Sequence, residues 1–285
     1  MQPRFADYKG LIEVALTEDI GRGDITSNAT IPEDATATAI MNARHPLVVA
    51  GAIVAAQTFD ALGMGLDIEQ HAEDGTTLQA GDKILSISGN ARAILGAERT
   101  ALNFIQHLSG IATLTRAYVD AVAGTSATIL DTRKTLPAYR DLAKHAVRMG
   151  GGSNHRFRLD DGVLIKDNHI AIAGGIAEAA ANVRAATPNM IKIEMECDTF
   201  SQVQEAASSG VVDIIMLDNM TNEQLTECVS YVRQNAPVIK LEASGNVNLE
   251  TVRSIAETGI DFISVGRLTH SAPAADIGLD IEVKA

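Results

Sequence analysis

Six short apolar runs in the second half of the chain each end on a charged or glycine-rich cluster. They are 127-ATILD-131 leading into Thr132, Arg133 and Lys134, then 162-GVLIK-166, 190-MIKIEME-196, 213-DIIMLD-218, 238-VIKLEAS-244 and 261-DFISVG-266. Helical stretches separate most of them, and that alternation is the pattern of parallel strands in an α/β barrel. Such folds build their active sites where the strands end, so the polar residue closing each run is candidate chemistry. Those ends supply Arg133, Lys134, Lys166, Glu196, Asp218 and Glu242, a cationic half and an acidic half. The mixture suits an anionic, phosphorylated ligand and a divalent metal.

The rest of the composition narrows the partners. At 285 residues, 46% hydrophobic and 21% charged, the chain can bury a sizeable core. A formal net charge of -13 argues against nucleic acid, whose phosphate backbone needs a basic face. Positive clusters inside so acidic a chain read as a focused small-anion site. Two cysteines, Cys197 and Cys228, are too few for a disulfide framework and point to a reducing compartment. Neither a signal-type N-terminus nor a run of membrane-spanning length is present, so a soluble cytoplasmic protein is expected, with no membrane partner.

Residues 7–18 have helical spacing (Tyr8, Leu11, Ile12, Ala15, Leu16), and 19-DIGRGDITS-27 reads as a loop. Strand-like pieces at 36–51 and 66–95 flank a helix at 52–62, which predicts an α+β N-terminal domain. A helix over 92–108 carries an apolar stripe, with Gly110 as its expected stop. Helices are then expected near 112–123, 138–149, 175–186, 199–209, 221–235 and 248–259. The division this predicts is 1–109 for the first domain and 110–270 for the barrel, with 271–285 returning to the first domain. No internal repeat is apparent along the sequence.

Within 131-DTRKTLPAYR-140, Pro137 marks the first turn of a helix, so Thr132 to Thr135 form the loop leaving the strand. Arg133 offers a planar fork for carboxylate or phosphate, and Lys134 a compact ammonium; an exposed basic loop is the plainer alternative. In 150-GGGSNHRFR-158, three glycines allow close approach of backbone to a ligand, or simply a helix stop, and His155 and Arg156 follow. Lys166 closes an apolar strand, where it can face an anion, form a Schiff base, or snorkel to solvent. Glu196 and Asp218 close successive strands and suit Mg²⁺ or ribose hydroxyls; Glu194 points the same way as Glu196, deeper or in a network. The loops 243-ASGNVN-248 and 264-SVGRLTH-270 occupy the positions where barrels commonly bind phosphate.

The same residues, together with 18-EDIGRGDITS-27, 98-ERTALNFIQHLSGIAT-113, 164-LIKDNHI-170, 194-EMEC-197, 216-MLDN-219 and 242-EASGNVN-248, resemble the quinolinate phosphoribosyltransferase family over nearly the whole chain. Two departures are Ala138, where the family commonly has glycine, and Arg158, where a small residue is common. The resemblance implies an α/β fold, an incomplete six-stranded α/β barrel with an N-terminal α/β sandwich domain. It also implies a homodimer in which Arg99 enters the neighbouring active site. The implied reaction joins quinolinate to phosphoribosyl pyrophosphate with loss of CO₂, a step of NAD biosynthesis, using Mg²⁺ and no organic cofactor. Arg99, Arg133, His155, Arg156 and Lys166 are then expected at quinolinate, with Thr132 as a further substrate-binding residue. Lys134 is expected at pyrophosphate, with Mg²⁺ on Glu196 and Asp218. Ser244, Gly245 and Asn246, with Ser264, Val265 and Gly266, are expected at the 5′-phosphate. Alternatives are a Schiff-base aldolase, a catalytically silent relative that binds a phosphorylated metabolite, and a phosphoribosyltransferase of the molybdenum-operon type. The segments 164-LIKDNH-169 and 153-SNHR-156 count against the last.

Overall fold

The structure, a computed structural model, describes residues 8–282. Position 7 of the first predicted helix and positions 283–285 of the tail lie outside the described residues. In chain order the elements open with α1 (Lys9–Ile20), α2 (Ile25–Thr30), β1 (Thr36–Ala43), β2 (Leu47–Val48), α3 (Ala52–Asp60), β3 (Asp67–Gln70), β4 (Thr77–Leu78), β5 (Lys83–Asn90) and α4 (Ala91–Ala121). Then come β6 (Thr128–Leu130), α5 (Arg140–Met149), β7 (Val163–Ile165), α6 (Asp167–Ala173), α7 (Ile176–Ala186), β8 (Ile193–Cys197), α8 (Phe200–Ser208) and β9 (Ile214–Asp218). The chain closes with α9 (Asn222–Asn235), β10 (Lys240–Ser244), α10 (Val252–Ala256), β11 (Phe262–Ser264), α11 (Arg267–His270) and β12 (Ile277–Glu282). Two compact units result. One takes the chain up to Arg116, Leu136–Gly151 and the part from Ser271 on; the other takes Ala117–Thr135 and Gly152–His270.

In the first unit an antiparallel sheet runs β12-β1-β5-β3. Strand β1 alternates buried and outward positions, as a half-covered sheet requires. Its inward residues Ala39 and Met41 join Ile84, Leu85 and Ile87 of β5, Phe59 of α3, and Ile94 and Ile105 of α4 in one core. That is a sheet with helices on one face, the expected sandwich.

Gly110 does not stop a helix. Helix α4 runs through it for 31 residues, joining the helices expected at 92–108 and 112–123. The reason for glycine is room: a Cβ at 110 would lie 2.0 Å from the carbonyl oxygen of Pro273. The 273–277 segment crosses the helix there, with the Ala275 N–H donating to the Gln106 carbonyl (2.9 Å) and Gln106 Nε2 to that of Ile277 (2.7 Å). In an open helix Gly→Ala stabilises by roughly 0.5–1 kcal/mol. Here Gly110→Ala is expected to destabilise by about 3 kcal/mol, because the clash is with backbone. A denaturation midpoint equal to or above the parent's would contradict this packing.

The second unit holds the expected incomplete barrel: a parallel sheet in the order β6-β11-β10-β9-β8-β7. β6 and β7 are its two ends, and one isolated parallel bridge joins Leu130 of β6 to Ser153 in the segment between α5 and β7. The middle strands are buried on both faces, which explains their nearly continuous apolar sequence. Capping boxes start α8 (Thr199 with Gln202) and α9 (Thr221 with Gln224). The helix expected over 248–259 shortens to α10. The Asn248 side chain accepts from the N–H groups of Glu250 (2.9 Å) and Thr251 (3.0 Å), which keeps the preceding residues in a turn.

The strand pairings also expose a repeat. Lys192 meets Asp213 at 2.6 Å and Lys240 meets Asp261 at 2.8 Å, 21 residues apart in both cases. Each aspartate also accepts an N–H at the start of the strand beside it, that of Ile193 or Leu241, at 2.9 Å. The β8–β9 and β10–β11 units therefore start with the same device. It sets Glu194 and Glu242 at equivalent positions on alternate strands, where inward side chains of a barrel form one layer.

Candidate active site

A cavity of about 640 Å³ opens where the strands of the second unit end. Thr132, Arg133 and Lys134 reach it from the loop after β6, His155 and Arg156 from the loop before β7, and Lys166 from the end of β7. Facing them are Glu196 of β8 and Asp218 of β9, with Ser244, Gly245, Asn246 and Ser264 completing the wall. Leu164 and Met216 supply apolar floor. One cavity thus gathers the sequence-predicted residues except Arg99, Glu194, Glu242, Val265 and Gly266.

Buried Asp131 fixes the two cationic loops. Its Oδ1 accepts from the His155 N–H (2.9 Å) and its Oδ2 from Asn154 Nδ2 (2.6 Å), while Thr132 Oγ1 accepts from the Lys134 N–H (3.0 Å). Arg133 Nε is buried and finds no acceptor among the described residues, the arrangement a ligand carboxylate satisfies. Arg156 donates from Nη1 to the Gly162 carbonyl at 2.9 Å. Burial, then the neighbouring Arg133 charge, pulls the Arg156 guanidinium below its ordinary value, with Glu194 opposing. It remains a cation.

On the acidic side Lys166 Nζ donates to Glu196 Oε2 at 2.8 Å. The lysine side chain is 48% exposed, so the pair is worth at most about 1 kcal/mol, and a charged ligand can compete for either partner. Asn219, which the sequence reading passed over, donates to Asp218 Oδ2 and accepts from Asn246 Nδ2 at 3.2 Å. Gly245 sits tight against it: with φ +97°, a Cβ would lie 2.2 Å from Asn219 Oδ1. Asn219 therefore couples the β9 and β10 ends, and its only trace in the sequence is its place beside Asp218.

Several residues differ from expectation. His155 was expected as a cation at the ligand, yet both ring nitrogens are engaged within the protein. Nδ1 accepts from the Arg156 N–H (2.8 Å), so the ring hydrogen sits on Nε2 and points to Glu194 Oε2 (2.7 Å). Glu242 does not join the acidic wall; it is 1% exposed, inside the barrel. Val265 is buried, and its N–H donates to the Leu130 carbonyl (2.9 Å). Gly266 packs against Lys134, whose Cδ lies 3.2 Å from where a Cβ would stand. The Ser264 hydroxyl is spent on Glu242. Arg99 is exposed on α4, in the first unit. Ala138 takes φ +59°, a left-handed conformation that glycine would adopt without the Cβ strain.

Two acidic groups are candidate metal sites. His155, Glu194 and Glu242 bring ligand atoms within 4.8 Å of one another. They do not fit a metal: with Nδ1 already accepting an N–H, ligation through Nε2 would require an imidazolate. Glu196 and Asp218 do fit, since a hard cation shared with a phosphorylated ligand takes one or two carboxylates at an open cavity. A thiol nucleophile is excluded on similar grounds. Burial pushes Cys197 up to about 12 and Cys228 up to about 11. Among the described residues no helix is long and apolar enough to cross a membrane.

Comparison with known proteins agrees along the chain. The family described as "Quinolinate phosphoribosyl transferase, C-terminal domain" matches residues 111–280, and the corresponding N-terminal domain family matches residues 24–109. A nicotinate-nucleotide pyrophosphorylase (carboxylating) of Mycobacterium leprae is 46% identical over 281 residues, 97% of this chain and 98% of that protein. A probable nicotinate-nucleotide pyrophosphorylase (carboxylating) of Bacillus subtilis is 42% identical, covering 96% and 93%. Among solved structures, NadC from Streptococcus pyogenes superposes with TM-score 0.93 at 37% identity over all of both chains. The nicotinate-nucleotide pyrophosphorylase of Ehrlichia chaffeensis gives 0.91 at 42% identity, over 99% and 100%.

Proposed function

The chain belongs to the quinolinate phosphoribosyltransferase family, and from that premise we propose how its cavity performs the reaction. The phosphoribosyl group of phosphoribosyl pyrophosphate passes to the ring nitrogen of quinolinate. Loss of CO₂ then leaves nicotinate mononucleotide, with pyrophosphate released, a step of de novo NAD biosynthesis. The observation that carries the residue assignment is the convergence of Arg133, Lys134, Arg156 and Lys166 opposite Glu196 and Asp218 in one cavity.

Quinolinate bears two carboxylates. Arg133, with its unsatisfied Nε, and Arg156 are the forks for them, and Lys166 adds a third charge by leaving Glu196. Thr132 shapes the loop that presents Arg133 and Lys134. Arg99 of a second subunit completes this pocket in a homodimer. The 5′-phosphate is held by Ser244, Gly245 and Asn246 from one side and by the backbone around Ser264 and Gly266 from the other; Val265, its amide already committed, only supports that turn.

Displacement at the ribose passes through an oxocarbenium-like state, so fixed charge and alignment supply most of the acceleration. The Lys134 ammonium stabilises the charge that develops on departing pyrophosphate. Glu196 and Asp218 would hold Mg²⁺, which when bound neutralises and orients that diphosphate. The same carboxylates favour positive charge on the ribose. N-alkylation turns the ring into a pyridinium, which holds the electron pair left at C2 when CO₂ departs; a proton from solvent then closes the valence. The ring is its own electron sink, and no organic cofactor is required. Buried, unpaired thiols agree with a reducing cytoplasm as its compartment.

Incubation with quinolinate, phosphoribosyl pyrophosphate and Mg²⁺ is expected to yield CO₂ and nicotinate mononucleotide in equal amounts, and a chelator is expected to stop both. Borohydride with the substrates is expected to trap no adduct on Lys134 or Lys166. Absence of nucleotide, or nucleotide that keeps both carboxylates, would overturn the assignment.

A further inference from the structure

Behind the cavity wall, Glu194 of β8 and Glu242 of β10 meet in the barrel interior, 3% and 1% exposed. Glu242 Oε1 accepts from the Ser264 hydroxyl, and Glu194 Oε2 from His155 Nε2. That leaves Glu242 Oε2 and Glu194 Oε1, both buried and neither hydrogen-bonded to a donor group; His155 Nε2 stands 3.8 Å from Glu242 Oε2, beyond hydrogen-bond distance. Two such oxygens on neighbouring carboxylates are costly if both ionise and satisfied if one hydrogen lies between them. The interior also favours the neutral form: burial, then the negative field of Glu194, pushes Glu242 well above the usual carboxylate range.

We propose that Glu242 stands as a carboxylic acid donating from Oε2 to Glu194 Oε1, and that the chain continuing through His155 to the Arg156 N–H positions the Arg156 guanidinium for a substrate carboxylate. The two links beyond the acid pair are Glu194 to His155 Nε2 at 2.7 Å and His155 Nδ1 to the Arg156 N–H at 2.8 Å, and ligand atoms of Glu242, Glu194 and His155 lie within 4.8 Å of one another. Glu242 touches no substrate and is a positioning residue. His155 works the same way, with its ring oriented by the carboxylate behind it and holding the backbone of the arginine beside it. The role at substrate rests on reading Arg156 as a quinolinate ligand; the hydrogen positions do not.

The test compares Glu242→Gln with Glu242→Leu. Glutamine can donate its amide N–H to Glu194 and accept from Ser264, as the acid does; leucine can do neither. ¹⁵N-histidine NMR of the parent and of the Gln variant is expected to show His155 protonated on Nε2 and bare on Nδ1. The Gln variant is expected to keep KM for quinolinate within about twofold, and the Leu variant to raise it about tenfold with KM for phosphoribosyl pyrophosphate little changed. A parent His155 carrying its hydrogen on Nδ1 would overturn the proposal even if leucine fails to fold. So would a Gln variant as impaired as the Leu variant, or a Leu variant with parental KM for quinolinate. If the parent does not turn over quinolinate, the functional reading fails, while the NMR result still decides the hydrogen-bond chain.

Discussion

Lys134→Ala is expected to lower turnover about a thousandfold, roughly 4 kcal/mol of lost transition-state stabilisation, with the fold intact. The side chain is exposed at the cavity and no carboxylate lies within ion-pair distance among the described residues, so its removal strands no buried charge. What holds the loop is backbone: the Lys134 carbonyl accepts from Thr269 Oγ1 (2.7 Å), and its N–H donates to Thr132 Oγ1 (3.0 Å). Alanine keeps both bonds and loses only the ammonium and its stem against Gly266. Because the charge matters most as pyrophosphate departs, kcat should fall much further than KM rises. Single-turnover rates together with a melting curve read both quantities. Near-parental turnover in a folded variant would remove Lys134 from the leaving-group role.

Much of this site was legible because barrel chemistry is written at strand ends. Arg133, Lys134, Lys166, Glu196 and Asp218 each close an apolar run, and all of them line one cavity. What failed was depth. Glu242 looks like a strand-end acid, but its pairing with Met216 of β9 and Phe262 of β11 sets it two residues below Ser244, which tops β10. It is the counterpart of Glu194, not of Glu196. That equivalence rests on Lys192–Asp213 and Lys240–Asp261, contacts across neighbouring strands that no window along the sequence displays. His155 shows a related limit: residue type says it can carry charge, and only its partners on both nitrogens say where the hydrogen sits. Gly110 was read as punctuation because a stop and a close contact both call for glycine. The chain that presses on it arrives from position 273.

Arg99 is the residue that neither periodicity nor the geometry of one chain explains, and it sets the remaining large effect. It is exposed on α4, where truncating an arginine costs within about 0.5 kcal/mol of stability. Arg99→Ala should therefore fold normally, and lose most activity only if its guanidinium serves a substrate. Lys134→Ala should be inactive for its own reason. Co-refolding equal amounts of the two inactive variants distinguishes a site built by one subunit from a shared one. If Arg99 acts across a twofold interface, each hybrid dimer rebuilds one complete site, Lys134 from one chain and Arg99 from the other, and ruins the second. Random assortment makes half the dimers hybrids, so about a quarter of parental activity should return. If Arg99 serves its own chain, every site in the hybrid lacks one group and the mixture stays as dead as its parents. The two arrangements thus differ by a regained quarter of full activity against none, measured with proteins of equal stability.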